Sequence, residues 1–184
     1  MIYTPGTAFN QQTVFEKLNL TNGQHKIKIV VKGVRNASST GNTISFDALE
    51  VISNPQPTVT KIDNSNTGIF YNGTWSNTTG SQYFNSTLKY TNVTGNYFEY
   101  TFTGTGISWI TTKKAMYGIA DVYIDSQLIN QVDLYSATAV NQQTVFEKLN
   151  LTNGQHKIKV VVKGTKNTSS TGTTISFDAL EVIN

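Results

Sequence analysis

The chain is 184 residues long, carries a formal net charge of +3, and is only 14% charged and 11% aromatic. This positive charge is weak, so no nucleic-acid partner is expected. The lack of cysteine excludes a disulfide framework and a thiolate zinc site. No apolar run is long enough to cross a bilayer, so no membrane insertion is expected.

Two stretches of the chain are nearly identical. Residues 10–52 and 141–183 align without a gap and differ at five of 43 positions. The differing pairs are Ile29/Val160, Val34/Thr165, Arg35/Lys166, Ala37/Thr168 and Asn42/Thr173. We therefore expect residues 1–54 to be the C-terminal strands of a preceding copy of a repeat, residues 55–60 to be a linker, and residues 61–184 to be a complete copy.

The pattern along the chain predicts strands and no helix. Residues 1–54 are expected to hold about three strands, since lysines alternate with apolar residues from Lys26 to Lys32 and a period of two is typical of a strand. In the complete copy, short runs between turns predict strands at Thr87–Thr91, Tyr97–Thr103, Ile107–Thr111, Ala120–Ile124, Leu128–Leu134, Thr144–Leu151, His156–Lys163 and Thr173–Ile183. The dipeptide Asn153-Gly154 predicts a hairpin between the strands that flank it. Together these features predict an all-β fold, an antiparallel β-sandwich.

Six motifs of the complete copy are similar to a known family. They are Tyr71–Trp75, Phe102–Ile110, Gly118–Asp125, Val132–Ser136, Leu151–Val160 and Phe177–Val182. Through them the copy resembles a galactose-binding-like jelly-roll module, of the kind appended to secreted bacterial glycoside hydrolases and surface proteins. The chain departs from the usual pattern at Ser126, where such modules often have glycine. The resemblance implies a jelly-roll sandwich that binds a polysaccharide or cell-surface glycan, in an extracellular or cell-wall-associated protein.

Candidate ligand-binding residues lie in the connection that follows the strand at Ile107–Thr111. Cationic hydrogen-bond donors come from Lys113 and Lys114, and an aromatic ring comes from Tyr117. Tyr135, which follows the strand predicted at Leu128–Leu134, adds a second ring. Both tryptophans, Trp75 and Trp109, are expected in the core.

A structural calcium ion is the one cofactor that the resemblance implies, joining the first and last strands. Asp63 and Asp178 are the expected ligands, because carboxylate oxygens suit a hard cation. The other carboxylates form no recognisable acid/base pair, and His25 and His156 are expected to face solvent. No catalytic residue is expected, and the chain is interpreted as a non-enzyme.

A structural role is the alternative to carbohydrate binding. The chain would then be a tandem-repeat spacer or adhesin domain. Because residues 1–54 and 141–184 are nearly interchangeable, we expect self-association through strand exchange between them.

Overall fold

The computed structural model describes residues 11–18, 20, 23–52 and 57–184. The chain divides into two units, Met1–Asn54 and Pro55–Asn184. Of the expected linker, residues 55 and 56 lie outside the described residues, and Val59 and Thr60 belong to the first strand. The first strand therefore begins two residues before the expected start of the complete copy. Within the described ranges, no helix has the length and hydropathy needed to cross a membrane.

The described part of the second unit is built from β-strands and one short 3-10 turn at Phe84–Ser86. The strands are β1 (Val59–Asp63), β2 (Ile69–Asn72), β3 (Ser76–Thr79), β4 (Thr87–Thr91), β5 (Tyr97–Gly104), β6 (Gly106–Lys113), β7 (Ile119–Ile124), β8 (Gln127–Asp133), β9 (Val140–Lys148), β10 (Gly154–Val162), β11 (Ile175–Phe177) and β12 (Ala179–Ile183). The expected all-β antiparallel sandwich is confirmed. The single closing strand expected at Thr173–Ile183 is instead two strands, with Asp178 between them.

The strands form three antiparallel sheets. One has the order β1-β12-β6-β9, a second has the order β2-β5-β10-β7-β8, and a third has the order β11-β4-β3. In the first sheet, β1 pairs with β12 from Val59 opposite Ile183 to Asp63 opposite Ala179. The two ends of the sandwich therefore lie side by side.

Aromatic rings fill the core between the sheets. Phe98 of β5 and Phe177 of β11 are stacked, with ring centroids 4.1 Å apart, and Trp109 of β6 meets Phe98 edge-on at 6.0 Å. All three are fully buried, and Trp75 packs partly buried against the same cluster. On β10, Ile158 and its alternate neighbours are buried while the intervening lysines point outward, as the period of two predicts.

The hairpin expected at Asn153-Gly154 does not form. β9 pairs with β6 in one sheet, whereas β10 pairs with β5 and β7 in another. The segment between β9 and β10 therefore crosses from sheet to sheet. It is held by the N–H of Leu151, which donates to the carbonyl of Thr105 at 2.8 Å, and it turns at Asn150 with a φ of 57°. The dipeptide signal was wrong because it reports local turn propensity and not the partners of the flanking strands.

His156 is buried, not solvent-facing as the sequence suggested. It sits on β10 opposite Phe102, with only 9% of its surface exposed. Its Nδ1 lies 2.7 Å from Oδ2 of Asp125, and its Nε2 lies 2.7 Å from the carbonyl of Thr152. The imidazole therefore ties the turn after β7 to the crossing segment before β10.

The described residues of the first unit show no strand, where about three were expected for residues 1–54. Residues 1–10, 19, 21–22 and 53–54 lie outside the described part. The second unit shows why strands are missing in the described part. The near-identical residues 141–183 make their ladders with β1, β4, β5, β6 and β7, and β9, β10, β11 and β12 do not pair with one another. A copy of these residues has no strand partner within itself.

Candidate functional site

Two acidic residues lie near each other where the first and third sheets adjoin. Asp63 is the last residue of β1, and Asp178 is the single residue between β11 and β12. Since Asp63 is in register with Ala179, the β1–β12 ladder brings the two aspartates together. Each keeps one buried oxygen, Oδ2, without a hydrogen-bond partner among the described residues. The fold thus places the two aspartates of the expected site at one junction between strands.

The side chain of Asp178 is buried with few hydrogen bonds. The residue is fully buried, and its Oδ1 accepts one bond from the N–H of Phe84 at 2.9 Å. Burial raises the pKa of Asp178 to about 6, and the Asp63 carboxylate acts in the same direction, while the Phe84 N–H and Lys61 oppose the shift. An additional cation beside Oδ2 would stabilise the ionised form.

The donor set fits a hard cation only in part. The described residues contain no group of three or more His, Cys, Asp or Glu side chains that could hold a metal ion. Calcium takes six to eight oxygen ligands, many of them carbonyls and waters. The two unpartnered carboxylate oxygens of Asp63 and Asp178 are the right kind of ligand, and the remaining ligands would have to be uncharged.

An open groove of about 500 Å³ adjoins this pair. It lies between the β1–β2 loop and the strands β2, β3 and β4. Its lining consists of small polar side chains with one lysine and two larger apolar or aromatic residues, namely Asn64, Ser65, Asn66, Thr67, Ile69, Tyr71, Asn77, Thr78, Thr79, Thr87 and Lys89. Amides and hydroxyls of this kind can both donate and accept hydrogen bonds.

Asn64 joins the groove to the acidic pair. It is almost fully buried, and its Nδ2 donates to the carbonyls of Thr87 at 2.8 Å and Asp178 at 3.2 Å. Its own carbonyl accepts a 2.6 Å bond from the hydroxyl of Tyr71. Burial raises the pKa of Tyr71, and the nearby Asp63 carboxylate adds to the shift, so this hydroxyl stays protonated as a donor. Asn64 therefore connects the groove wall to the strand ends at which Asp63 and Asp178 lie.

A lysine covers the tyrosine in the groove. Lys89 Nζ lies 5.0 Å from the ring centroid of Tyr71 and donates to Oδ1 of Asn77 at 2.8 Å. This cation–π contact leaves the lysine as a half-buried donor at the groove surface. Sequence reasoning missed the groove, although the Asn- and Thr-rich stretches at residues 64–67 and 77–79 were the available signal.

The loop surface expected from the sequence is assembled only in part. Lys114 and Tyr135 are brought together by a parallel β-bridge, and the N–H of Ser136 donates to the carbonyl of Lys114 at 3.3 Å. Both side chains are half-buried. Lys113, the last residue of β6, is also half-buried and is paired with Val140.

Tyr117, the fourth expected residue, is in the core and offers no free ring face. Its exposed fraction is 3%, and burial raises its pKa against the opposing effects of Ser176 and Lys114. Lys114 Nζ lies 5.8 Å from the ring centroids of both Tyr117 and Tyr83, and Tyr83 is itself buried. The lysine therefore caps two packed rings, and the accessible part of this surface consists of Lys113, Lys114 and Tyr135.

No family model matches the chain, but two known proteins are similar to it in sequence. It is 30% identical over 151 residues to an A type blood alpha-D-galactosamine galactosaminidase of Flavonifractor plautii, covering 82% of this chain and 14% of the relative. It is 33% identical over 107 residues to an A type blood N-acetyl-alpha-D-galactosamine deacetylase of the same organism, covering 58% of this chain and 14% of the relative. The chain thus spans about one seventh of the length of each enzyme.

A solved structure shares the architecture. A family two carbohydrate esterase from Cellvibrio japonicus has a TM-score of 0.51 and 16% sequence identity, over 70% of this chain and 34% of that one. At this identity the likeness concerns the fold. It confirms the resemblance seen in the sequence at that level: residues 57–184 form an antiparallel sandwich of the jelly-roll type.

Proposed function

We propose that the chain is a non-catalytic carbohydrate-binding module of a secreted or cell-surface bacterial protein. The relatives are named for chemistry on galactosamine residues, and the chain corresponds to a small part of each. Such a short matching segment favours a module that accompanies a catalytic region. A jelly-roll fold alone does not determine this role, so the proposal depends on the site.

The groove beside Asn64 is the observation that carries the proposal. Its volume of about 500 Å³ is within the range of small-molecule sites. Saccharide hydroxyls need partners that both donate and accept, which the asparagine and threonine side chains provide. Lys89 and Asn77, already bonded to each other at 2.8 Å, present the cationic donor and the amide at its surface. We expect the groove to bind the end of a galactosamine-containing glycan.

The surface formed by Lys113, Lys114 and Tyr135 is a second location for the same activity. Tyr135 would offer a ring face, and the lysines would donate to hydroxyls. Tyr117 and Tyr83 are buried below it, so only Lys113, Lys114 and Tyr135 would contact a glycan there.

Affinity electrophoresis in gels containing N-acetylgalactosamine-bearing polysaccharide separates the two locations. Lys89→Ala and Asn77→Ala should each weaken retention about tenfold, as expected for a lost charged or amide hydrogen bond. Lys114→Ala and Tyr135→Ala should leave it unchanged, as should the control Lys157→Ala on the exposed face of β10. If Lys114→Ala and Tyr135→Ala weaken retention while Lys89→Ala and Asn77→Ala do not, the loop surface is the binding site. Unretarded migration of the unaltered protein across a glycan panel would refute carbohydrate binding itself.

We propose that calcium occupies the position between Asp63 and Asp178. The support is the pair of buried Oδ2 atoms that have no partner among the described residues, since buried charged oxygens are normally satisfied. A bound cation would neutralise the two acids and hold the β1–β2 loop, including Asn64, against β4. It would stabilise the groove rather than take part in a reaction.

A tandem-repeat spacer or adhesin domain that self-associates is the second candidate function. The observation in its favour is the near-identity of residues 10–52 and 141–183, which makes either copy a fit for the same strand partners. Self-association through residues 1–54 and 141–184 would appear in light scattering as an average mass that rises with concentration. A constant monomer mass would remove strand exchange from consideration.

A further inference from the structure

In the second copy of the repeated segment, every strand pairs with strands that precede this copy in the chain. We call β1–β8 the opening strands and β9–β12 the closing strands. β9 pairs with β6, β10 with β5 and β7, β11 with β4, and β12 with β1 and β6. Every described ladder of a closing strand is therefore made with an opening strand. The 184-residue sequence contains one set of opening strands and two copies of the closing sequence.

Eight apolar positions are buried in the second copy and exposed in the first. In residues 141–183 they are at most 5% exposed, whereas in the first copy they are 48% to 85% exposed. The pairs are Phe15/Phe146, Ile27/Ile158, Ile29/Val160, Val31/Val162, Ile44/Ile175, Phe46/Phe177, Leu49/Leu180 and Val51/Val182. An exposed apolar set of this size indicates a surface that is covered by a partner.

Two positions of the first copy have the backbone conformation of their counterparts in the second copy. Gln11 has a φ of 53° where Gln142 has 50°, and Gly33 has a φ of 70° where Gly164 has 77°. These left-handed positions are unfavourable for most residues, so their recurrence in both copies shows that the local sequence specifies them.

A turn between two closing strands recurs with the same hydrogen bonds. In the first copy, the N–H of Ser38 donates to Oδ1 of Asn36 at 2.9 Å, and the hydroxyl of Ser39 donates to the carbonyl of Gly41 at 2.7 Å. In the second copy, the N–H of Ser169 donates to Oδ1 of Asn167 at 3.0 Å, and the hydroxyl of Ser170 donates to the carbonyl of Gly172 at 2.9 Å. The turn therefore forms in either copy.

The five differences between the copies are compatible with the same partner. Four of them lie at positions that are exposed or half-exposed in the second copy, between β10 and β11. The fifth replaces the buried Val160 by Ile29, which adds one methylene and keeps the β-branched shape.

We propose that residues 11–52 close a second sandwich, by docking as four strands onto opening strands that have the sequence of residues 57–139. The partner is an opening half of the repeat that its own closing strands do not cover, and the binding surface is the apolar set of the first copy.

The test adds this partner to the intact chain. A fragment of residues 57–139 is held in denaturant and diluted into buffer with or without the full-length protein, so that it does not have to fold alone. The expected result is a soluble complex with one fragment per chain in size-exclusion chromatography with light scattering. Ile29→Asp or Phe46→Asp in the full-length chain should abolish the complex, and the exposed control Ser38→Asp should retain it. Precipitation of the fragment to the same extent with and without the chain would overturn the proposal.

Cross-linking identifies which copy is engaged. In the second unit Lys61 of β1 is in register with Glu181 of β12, whose counterpart in the first copy is Glu50. Because the chain has no cysteine, a fragment with Lys61→Cys should form a disulfide with full-length Glu50→Cys and not with Lys32→Cys, whose counterpart Lys163 follows β10 in another sheet. Equal cross-linking of both variants, or a complex that persists with Ile29→Asp, would mean that the fragment binds elsewhere.

Discussion

The imidazole of His156 lies between two acceptors, Oδ2 of Asp125 and the carbonyl oxygen of Thr152, each at 2.7 Å. A carbonyl oxygen accepts and cannot donate, so Nε2 must carry a proton, and a carboxylate favours a second proton on Nδ1. The geometry selects the imidazolium form. In accordance with it, the Thr152 carbonyl and the Asp125 carboxylate raise the pKa of His156, and the His156 hydrogen bond and the Lys157 N–H lower the pKa of Asp125.

These opposite shifts make stability depend on pH. The His156 contribution is complete below its ordinary value of 6.5 and is lost as pH rises through the raised folded-state pKa. The Asp125 contribution is complete above its ordinary value of 3.8 and is lost as pH falls through the lowered pKa. We expect Asp125→Asn to cost only about 0.5 to 1 kcal/mol at about pH 5, because the carboxylate is half exposed and screened. The cost should be smaller at about pH 9, because the imidazole loses its proton as pH rises. Urea unfolding of both proteins at the two pH values measures this, and an equal cost at both would contradict the imidazolium assignment.

The repeat supplies an internal control for core packing. Phe177 is fully buried against Phe98, whereas its counterpart Phe46 is 65% exposed. Phe177→Ala should destabilise the sandwich by about 3 to 5 kcal/mol, through lost burial and a cavity. Phe46→Ala should change the same transition by no more than about 0.5 kcal/mol. Thermal unfolding followed by circular dichroism makes the comparison, and similar costs for the two variants would show that the first copy shares the core.

Two equivalent aspartates, one in each copy of the repeat, allow calcium binding to be tested. Asp178 is fully buried with an unpartnered Oδ2, and its counterpart Asp47 is exposed. Calcium at a hundredfold excess over its Kd should stabilise the protein by about 2.7 kcal/mol, and so raise its Tm by several degrees. Asp178→Asn keeps the acceptor for the Phe84 N–H and should lose the calcium-dependent rise, while Asp47→Asn should keep it. If calcium leaves the Tm of the unaltered protein unchanged, the site does not bind it.

Two glycines that face each other in the β5–β10 ladder should respond differently to alanine. A Cβ on Gly104 would lie 2.4 Å from the carbonyl oxygen of Ile183, whereas a Cβ on Gly154 would have no atom within 4 Å. Gly104→Ala should therefore cost about 1 to 3 kcal/mol, because backbone must shift. Gly154→Ala should be neutral or stabilise by about 0.4 to 1 kcal/mol, through reduced freedom of the unfolded chain. Chemical unfolding curves would show the difference in midpoint.

Sequence periodicity predicted the strands well and their partners poorly. The alternation of apolar and polar residues around Phe98 and Ile158 indicates which side of each strand is apolar. That side is buried in the sandwich. Partners were not predictable because they are distant in sequence: Ile158 is opposite Tyr100 and Ile124. The same limit explains the failed hairpin at Asn153-Gly154.

The candidate sites show a similar division. Asp63 and Asp178 were found through the family resemblance and are brought together by the register of two strands 115 positions apart in the sequence. Tyr117 looked like a loop aromatic, but a β-bridge to Thr174 holds it in the core. The groove beside Lys89 depends on three strands and a loop meeting, so no short motif could predict it.

The side-by-side ends of the sandwich determine how it responds to tension. Val59 is opposite Ile183, and the N–H of Asn184 donates to the carbonyl of Thr58 at 2.9 Å. A force that pulls these ends apart loads the outermost pair of β1 and β12 first and then each following pair, so the hydrogen bonds break one at a time. We therefore expect the domain to open from this edge at low force, one residue pair after another.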